Sequence, residues 1–355
     1  MSKFLVTGAG GYLAGRIMEF LSGWEECDSV VGLDLKQPPS PAAPMTFHRV
    51  DIRDELTTSI IARESPDVVI HLAYAVDFLR DTAAEQSINI GGLKRVLDGV
   101  RAAGCRQLIV ASSTVVYGAY PGISTFQDEE GLVCIHPQVP YCRDKVIAEK
   151  MCRDFSKANP GTAVCIFRPA IVVGPHWGNF WAAAFFLLPV LPRIDGNDPL
   201  FQFIHEDDLV QLVRLCVSKE ASGTFNAAAD GALSLREIAS LLGKPTLPIH
   251  SWAARASLWM LHKLRSLPVG SPPALVDFFA YPWTASNAKA REQLGFEPTF
   301  DSRQAFEEAI RLRRQVLANM AEKARGGYRV FNAILDLELM RLDRAKGCSR
   351  SGRSQ

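Results

Sequence analysis

The sequence predicts an α/β protein with a doubly wound parallel sheet and a smaller C-terminal lobe. In the first half, short runs of apolar and β-branched residues alternate with longer segments whose apolar positions recur at helical spacing. The short runs are apolar almost throughout, as in parallel strands that helices cover on both faces. Repeated strand–helix–strand units of this kind build a doubly wound sheet.

The predicted elements alternate regularly up to about residue 174. We expect strands at residues 4–7, 29–33, 46–50, 67–72, 107–111 and 163–168, and helices at 12–21, 54–64, 84–103 and 141–158. Beyond residue 174, prolines interrupt short apolar segments, which indicates a lobe that shapes a substrate pocket. The expected domains are a cofactor-binding domain at 1–174 with a returning segment near 201–230, a substrate lobe at 175–200 and 231–316, and a C-terminal helix with a disordered tail at 317–355.

The composition is that of an ordinary globular protein and excludes several classes of function. The 355 residues include 48% hydrophobic and 22% charged residues. Lysine plus arginine number 39 and aspartate plus glutamate 38, so the net charge of +1 argues against nucleic acid as a partner. The eight cysteines form no CxxC pair and no histidine cluster has zinc-ligand spacing, which predicts reduced thiols, a cytoplasmic location and no metal. We also expect no signal peptide before the first strand.

The glycines of TGAGGYLAG follow the first predicted strand directly and precede a predicted helix. In this context Gly8 makes a tight turn and Gly11 lets the backbone approach a pyrophosphate. The helix that begins near Tyr12 and Leu13 then points its N–H groups at the phosphates. A phosphate-binding P-loop needs Lys-Ser/Thr after its last glycine, and Arg-Ile stands there instead.

Two acidic residues at the ends of the next strands support a dinucleotide site over an incidental glycine-rich loop. Asp34 ends the second predicted strand, where a carboxylate accepts hydrogen bonds from the ribose hydroxyls. The same carboxylate repels a 2′-phosphate and therefore favours NAD over NADP. Asp51 and Ile52 end the third predicted strand, where contacts with adenine are usual.

A second set of residues suits proton transfer at a secondary alcohol or ketone. Ser113 follows the apolar strand QLIVA, and ligands of open α/β sheets bind beyond such strand ends. Tyr141 and Lys145, in YCRDK, are four residues apart and share one helix face. Free tyrosine has a pKa near ~10, and an adjacent ammonium that lowers it by roughly 3 units supplies about 4 kcal/mol. Ser113 would orient the substrate oxygen while the nicotinamide exchanges hydride.

The chain resembles the extended short-chain dehydrogenase/reductase family, of the NAD-dependent epimerase/dehydratase type, which has a Rossmann-type fold. The resemblance covers nearly the whole chain in order. It rests on TGAGGYLA (7–14), DL (34–35), DI (51–52), HLAYA (71–75), NIGG (89–92), ASSTVVYG (111–118), YCRDK (141–145), FRPAIVVGP (167–175), FIHEDDL (203–209) and SNAKAREQLGFEP (286–298).

The resemblance implies site residues and a subunit arrangement. The implied catalytic residues are Ser113, Tyr141 and Lys145. The implied NAD contacts are Gly8, Gly11, Tyr12, Leu13, Asp34, Asp51, Ile52, Leu72, Ala73, Asn89, Tyr141, Lys145, Arg168 and Pro169. Members often form homodimers through two helices of each subunit, here the predicted helices 84–103 and 141–158.

Departures from the family pattern leave the substrate open between a nucleotide sugar and an apolar, lipid-like or sterol-like alcohol. The third glycine of the fingerprint is Ala14, which is small enough for close helix–strand packing. Phe201 stands where members that act on nucleotide sugars usually carry a phosphate-pairing arginine, and segment 272–290 also lacks one. The apolar segments 180–192 and 251–264 are interpreted either as lobe core or as an apolar pocket with a membrane-facing entrance. The cations Arg255, His262, Lys263 and Arg265 are spaced as on an amphipathic helix, which would allow peripheral membrane contact.

The net reaction is open between epimerisation and oxidation or reduction, since both begin with the same hydride transfer. Dehydration usually needs an acid pair beside the catalytic serine, and Thr114 and Val115 stand there. The alternative from another class is a non-catalytic protein that senses NAD(P). Such proteins commonly lose the tyrosine or the lysine, and both are present here.

The histidines receive structural interpretations where a strand or helix end explains them. His71 ends a strand and is expected to be structural. His205, Asp207 and Asp208 are typical of a helix N-terminus whose free N–H groups the acids cap. His136 and His176 are expected near the pocket, where either could touch the substrate.

Overall fold

The computed structural model describes residues 1–38, 45–75, 81–131, 133–134, 136, 138–263, 272–324, 335 and 338–339. Its strands are β1 (Ser2–Thr7), β2 (Cys27–Asp34), β3 (Met45–Arg49), β4 (Val68–His71), β5 (Gln107–Ala111), β6 (Ala163–Pro169), β7 (Ile171–Val173), β8 (Leu191–Ile194), β9 (Leu200–Phe201), β10 (Phe203–His205), β11 (Gly223–Ala227), β12 (Leu233–Ser234) and β13 (Thr246–Ile249). Its α-helices are α1 (Tyr12–Ser22), α2 (Glu55–Glu64), α3 (Thr82–Gln86), α4 (Gly92–Ala103), α5 (Pro140–Ala158), α6 (Phe180–Leu187), α7 (Glu206–Ser218), α8 (Leu235–Leu242), α9 (Ser251–Lys263), α10 (Ser302–Arg311) and α11 (Arg313–Ala324).

The central sheet has seven parallel strands in the order β11-β6-β5-β4-β1-β2-β3. The chain therefore winds outward from β1 in both directions, and the predicted doubly wound fold is confirmed. Two buried clusters cover the two faces. On one face Ile17 of α1 and Leu212 of α7 pack against the sheet, and on the other Ile61 of α2, Val96 of α4 and Cys152 of α5 do so. Covering on both faces explains why the strands are apolar throughout.

One predicted helix is interrupted. The sequence predicts a continuous helix at 84–103, whereas the structure has α3, a single π-turn at Ser87–Gly91 and then α4. The wider turn displaces the helix locally and carries Asn89, which is fully buried. Beyond the turn Gly92 packs against Ile52 so closely that a Cβ atom there would lie 2.7 Å from Ile52 Cγ2.

The C-terminal lobe is built around an aromatic core. Segment 180–192 contains α6 and the start of β8, and Phe185 and Phe186 are fully buried in this core together with Trp177 and Phe306. The interpretation of this segment as core is therefore correct for its inner face. The domain boundaries given above stay predictions, and most of the predicted tail lies outside the described residues. No α-helix in the described ranges combines the length and the apolar character needed to cross a bilayer.

Candidate active site at the carboxyl edge of the sheet

The glycine turn forms the cradle that a dinucleotide needs. Gly8 has a φ of +74°, and a Cβ atom there would lie 2.9 Å from the backbone nitrogen of Ala73. Only glycine fits this position without strain. Gly11 caps α1 without a side-chain hydrogen bond, and the first turn of the helix contains no acidic residue. The N–H groups at Tyr12 and Leu13 are therefore available to an anion, and the predicted residues fit NAD.

Asp34 lies beside this turn, at the end of β2. Its Oδ2 accepts a hydrogen bond from the Gly10 backbone N–H at 3.0 Å, and its Oδ1 accepts one from Lys36 N–H at 2.8 Å. Each carboxylate oxygen keeps a further lone pair for a ribose hydroxyl. Asp34 thus joins the phosphate cradle to the predicted ribose site.

The other predicted cofactor contacts lie on the same edge of the sheet. Leu72 and Ala73 follow β4 and face the Gly8 turn. Asp51 and Ile52 follow β3, and hydrogen bonds from Arg53 hold the pKa of the Asp51 carboxyl below its usual range. Pro169 is the last residue of β6. The structure therefore brings these residues to one edge, and their contacts with NAD stay predictions.

The side chain of Asn89 forms hydrogen bonds with other groups of the protein. Its Oδ1 accepts a hydrogen bond from Ala75 N–H at 2.9 Å, and its Nδ2 donates to Asp144 Oδ2 at 3.2 Å. Asn89 therefore ties the segment after β4 to helix α5. These contacts give it a positioning role, while the predicted contact with NAD stays a prediction.

The three predicted catalytic residues come from two neighbouring elements. Ser113 follows β5, and its Oγ accepts a hydrogen bond from Val115 N–H at 3.3 Å. Tyr141 and Lys145 lie in the first two turns of α5, with Lys145 Nζ 5.5 Å from the centre of the Tyr141 ring. Tyr141 also packs against the aromatic core of the lobe. The phenol is thus placed between the predicted cofactor edge and the lobe.

Lys145 is almost completely buried, and its surroundings were not foreseen from the sequence. Its Nζ donates a hydrogen bond to Ala111 O at 2.6 Å and lies 3.1 Å from the centre of the Tyr74 ring. Burial lowers the pKa of Lys145 well below its usual value, against the opposing influence of Glu149 and Cys152. The Tyr74 hydroxyl is buried without a partner among the described residues. Tyr74 lies in HLAYA, but nothing in that motif indicates that its ring faces a lysine 71 positions later.

His71 is structural, as the sequence predicts. It is fully buried, and its Nδ1 is 2.8 Å from Thr7 Oγ1 on the adjacent strand β1. Burial and the nearby Lys145 lower the pKa of His71 from 6.5 to about 3, so the imidazole is neutral in the folded protein.

Arg168 anchors α5 to the sheet. Its Nη2 and Nε lie 2.7 and 2.8 Å from the two carboxylate oxygens of Glu149, and its Nη1 donates to the Tyr117 hydroxyl at 2.8 Å. Glu149 also accepts a hydrogen bond from Ser112 Oγ at 2.6 Å. Arg168 is the next-to-last residue of β6, one residue before the strand end, and its guanidinium binds within this buried network. Direct contact with NAD stays a prediction.

Aromatic rings surround Phe201, which stands at the position where the resemblance leads us to expect a phosphate-pairing arginine. Phe201 is 1% exposed, and its ring centre is 5.4 Å from that of Phe185 and 5.9 Å from that of Phe279. The Trp181 ring, which is partly exposed, lies 5.2 Å from that of Trp283 and 5.4 Å from that of Phe279. The wall formed by these rings contacts the same core against which Tyr141 packs.

The remaining histidines differ in their roles. His136 Nε2 is 3.1 Å from Asp277 Oδ2, and Arg255 of α9 also binds Asp277, so these residues tie α9 to the loop before α5. At the start of α7 the cap is the His205 ring, which accepts a hydrogen bond from Asp207 N–H at 3.3 Å. The prediction that the acids cap this helix is wrong for Asp208, because its carboxylate accepts from the Thr299 and Phe300 N–H groups instead.

Comparison with known proteins identifies the group to which this arrangement belongs. Residues 4–228, more than half of the chain, match the model of the NAD dependent epimerase/dehydratase family. The chain belongs to that family. It is therefore an enzyme of the extended short-chain dehydrogenase/reductase type with NAD as cofactor, which confirms the predicted family and cofactor.

Individual relatives agree with this assignment over most of the chain. A UDP-glucose 4-epimerase of Mycolicibacterium smegmatis is 27% identical over 322 residues, which cover 83% of this chain and 93% of the relative. An uncharacterized protein of Mycobacterium tuberculosis is 25% identical over 316 residues, which cover 86% of this chain and 83% of the relative. The fold is also that of the UDP-glucose 4-epimerase of Thermotoga maritima, with a TM-score of 0.68 at 20% identity over 89% of this chain and 99% of that one.

Proposed function

We propose that this family member transfers hydride between NAD and a secondary alcohol or ketone, with Tyr141 as proton carrier. The observation that carries the proposal is that Tyr141 and Lys145 lie one turn apart on α5, and that Lys145 Nζ donates a hydrogen bond to Ala111 O at the end of β5, two residues before Ser113. The position of Ser113 just after β5 supports the proposal, because ligands of such sheets bind beyond the carboxyl ends of the strands.

Each of the three residues has a distinct task in the oxidation direction. Ser113 Oγ donates a hydrogen bond to the substrate oxygen and orients it, while the Tyr141 oxygen receives the hydroxyl proton. Burial disfavours the charged form of Lys145. A phenolate at Tyr141 would stabilise the Lys145 ammonium, and the ammonium would in turn stabilise the phenolate. When bound, NAD accepts the hydride that leaves the carbinol carbon. In the reduction direction the proton and hydride return by the same path.

We propose an apolar secondary alcohol or ketone as the substrate. Tyr141 packs against the aromatic core, and the wall of Trp181, Phe201, Phe279 and Trp283 borders it. Phe201 occupies the position of the expected phosphate-pairing arginine and is buried among aromatic rings, so it offers no charge-assisted bond to a diphosphate. An apolar ring system or chain would instead bury its surface against Trp181, the partly exposed ring of this wall.

A nucleotide sugar is the second candidate. The relative from Mycolicibacterium smegmatis is a UDP-glucose 4-epimerase, and it aligns over nearly its whole length. Such a substrate would be oxidised and then re-reduced on the opposite face, so that no net change in the cofactor accompanies epimerisation.

The proposal predicts that Tyr141→Phe lowers kcat by about a thousandfold or more, because the substrate proton then has no acceptor. NAD affinity should stay within about threefold of wild type, since the hydroxyl is the group removed. The measurement pairs calorimetric titration of NAD with product analysis on apolar alcohols and ketones and on UDP-glucose. A variant that keeps wild-type turnover would contradict the mechanism, and turnover of UDP-glucose alone would select the second candidate.

We further propose a homodimeric, cytoplasmic enzyme that contacts membranes peripherally through α9. The seven cysteines of the described residues are unpaired, which suits a reducing compartment. The faces of α4 and α5 remain the proposed dimer contact, and native mass spectrometry gives the subunit count.

On α9, Trp252 is 72% exposed and Trp259 56% exposed, and Lys263 lies over the Trp259 ring. Exposed tryptophans flanked by basic residues are typical of helices that lie in a membrane interface.

A further inference from the structure

A buried carboxylate joins three side chains beside the glycine turn. Glu206, the first residue of α7, is 1% exposed at its side chain. Its Oε1 lies 2.7 Å from His176 Nδ1 and 3.1 Å from Arg16 Nε, and its Oε2 accepts a hydrogen bond from the Tyr12 hydroxyl. We call Glu206, His176, Tyr12 and Arg16 the Glu206 cluster.

The fold brings this cluster together through two paired strands. β7 and β10 run in parallel with Val173 opposite His205, so the residues that follow them, Gly174 and Glu206, are neighbours. A Cβ atom at Gly174 would lie 2.5 Å from Glu206 Oε2, and its φ is +155°. Because residue 174 is a glycine, the Glu206 carboxylate fits between α1 and the segment that contains His176.

The cluster borders the predicted diphosphate site. Tyr12 is the first residue of α1, whose free N–H groups face the glycine turn. The His176 ring centre is 6.2 Å from that of Tyr12, and the His176 side chain is 49% exposed. Arg16 is occupied by Glu206, Glu19 and Asp207, so it is not a free cation for the cofactor. His176 is the most exposed member of the cluster, since the Arg16 side chain is 25% exposed and that of Glu206 is 1% exposed.

We infer that His176, oriented by Glu206, binds the diphosphate of NAD as an imidazolium, so that cofactor binding takes up a proton. The inference goes beyond hydride transfer and rests only on NAD being the cofactor.

The hydrogen-bond pattern determines which nitrogen of His176 is left for a phosphate. Glu206 is a carboxylate acceptor, so His176 Nδ1 carries a hydrogen and donates it. A neutral imidazole with hydrogen on Nδ1 has only a lone pair on Nε2, which cannot donate to a phosphate oxygen. Among the described residues Nε2 has no protein partner. A bond from Nε2 to the diphosphate therefore requires the doubly protonated ring.

The surrounding charges favour this protonation once the diphosphate is present. The titratable and charged groups around His176 are Tyr12 and Arg16 on α1 and Glu206 and Asp207 on α7. Burial, then Glu206, raise the pKa of Tyr12 well above 10, so this phenol stays neutral. Arg16 is balanced by its carboxylates. The added negative charge of the diphosphate then stabilises the imidazolium through a charge-assisted bond.

The test is calorimetric titration of NAD at pH 8 in buffers of different ionisation enthalpy, which counts the protons taken up. Wild type should take up a measurable fraction of a proton. His176→Phe keeps the ring and removes both nitrogens, so it should show no uptake and about tenfold weaker binding of NAD and ADP-ribose. Adenosine, which has no phosphate, should bind both proteins equally.

Two further variants complete the design. His250→Phe is the matched control, because His250 also faces a carboxylate, Asp195 at 3.5 Å, but is 78% exposed elsewhere in the lobe. It should behave as wild type. Glu206→Gln keeps the shape under Gly174 and removes the charge, so proton uptake should fall there too, with folding checked by thermal melting.

Unchanged NAD affinity and proton uptake in His176→Phe would overturn the inference, as would an equal loss for adenosine. Turnover is not measured here, so this result is independent of the Tyr141 mechanism. If wild type took up its proton and Tyr141→Phe kept its activity, the proposed function alone would fail.

Discussion

At the scale of single residues, burial disfavours the charged forms of two basic side chains at the carboxyl edge of the sheet. His71 and Lys145 are both almost completely buried, and burial lowers the pKa of each. For His71 the result is a neutral ring held by Thr7 within the sheet. The site therefore contains a histidine that is unsuited to acid–base work near neutral pH, beside a lysine whose charged form is disfavoured by burial.

His71 should make the protein sensitive to acid. Its folded pKa of about 3 lies below the unfolded value of 6.5, so its contribution to stability is complete above pH 6.5 and is lost progressively as the pH falls toward 3. Between about pH 7.5 and 5.5 the loss should be about 1.4 kcal/mol. In His71→Asn the amide oxygen can still accept from Thr7, and this part of the pH dependence should vanish.

Urea unfolding of both proteins at the two pH values measures the difference. The comparison between variants removes the contribution of the other histidines. An identical pH dependence in the two proteins would mean that His71 titrates normally.

Residues near in sequence were predictable, and residues joined by long-range contacts were not. Tyr141 and Lys145 share one helix face because helical spacing is a local property. Tyr12 and Glu206 are 194 positions apart, and their contact depends on where β10 pairs with β7. No rule of sequence spacing predicts such a pairing, so the contact between His176 and Glu206 could not be predicted from the sequence.

At the scale of elements, a buried ion pair holds helix α5, which carries Tyr141 and Lys145, against the sheet. Glu149 is 1% exposed at its side chain, with Arg168 on one side and the partly exposed Arg153 on the other. Burial raises the pKa of Glu149, but the hydrogen bonds from Arg168, Ser112 and Arg153 outweigh it and hold the value below the usual range. The position of Tyr141 and Lys145 thus depends on a strand residue.

Arg168→Met should destabilise the protein by about 3–5 kcal/mol, because it leaves a buried carboxylate without its main partner. The displaced α5 should also lower kcat. Arg153→Met is the matched control, since Arg153 is 45% exposed at its side chain and binds the same carboxylate. Its loss should cost less than about 1 kcal/mol. Chemical denaturation measures both, and equal effects would contradict an anchoring role for Arg168.

The interrupted helix shows what periodicity misses. Apolar spacing predicts one helix at 84–103, and most of that range is indeed helical. The π-turn at Ser87–Gly91 serves contacts of Asn89 with Ala75 and Asp144, which lie on other elements. The apolar spacing of one segment predicts which face of its helix is buried. It does not predict a π-turn that depends on contacts with residues of other elements.

At the scale of the whole molecule, helix α9 presents three exposed large apolar side chains, Trp252, Trp259 and Met260. Among the described residues, Leu188, Leu247, Trp252, Trp259 and Met260 are each at least 40% exposed. The inner face of α9 contacts the aromatic core through Ala254 and Leu258, and Arg255 fixes it to Asp277. The helix therefore covers the lobe on one side and presents tryptophans on the other.

This arrangement predicts binding to anionic lipid. In sedimentation with phosphatidylglycerol vesicles, the double variant Trp252→Ser, Trp259→Ser should lose at least about tenfold in affinity, because two apolar anchors are removed. Phosphatidylcholine vesicles should bind wild type less well, since α9 contains basic and no acidic residues. Leu56→Ser, which changes a 58% exposed residue of α2, is the control. Equal binding of all three proteins would exclude α9 as the contact.

The two hydrogen bonds of Asp34 have a practical consequence for coenzyme engineering. Replacing this carboxylate is the obvious route to accepting a 2′-phosphate, yet the same oxygens hold Gly10 and Lys36 in the loop architecture. With Asp34 at the predicted ribose contact, a neutral or cationic side chain at this position would change coenzyme selectivity and would also remove the acceptor of the Gly10 and Lys36 amides. A usable redesign needs a compensating acceptor for the Gly10 amide.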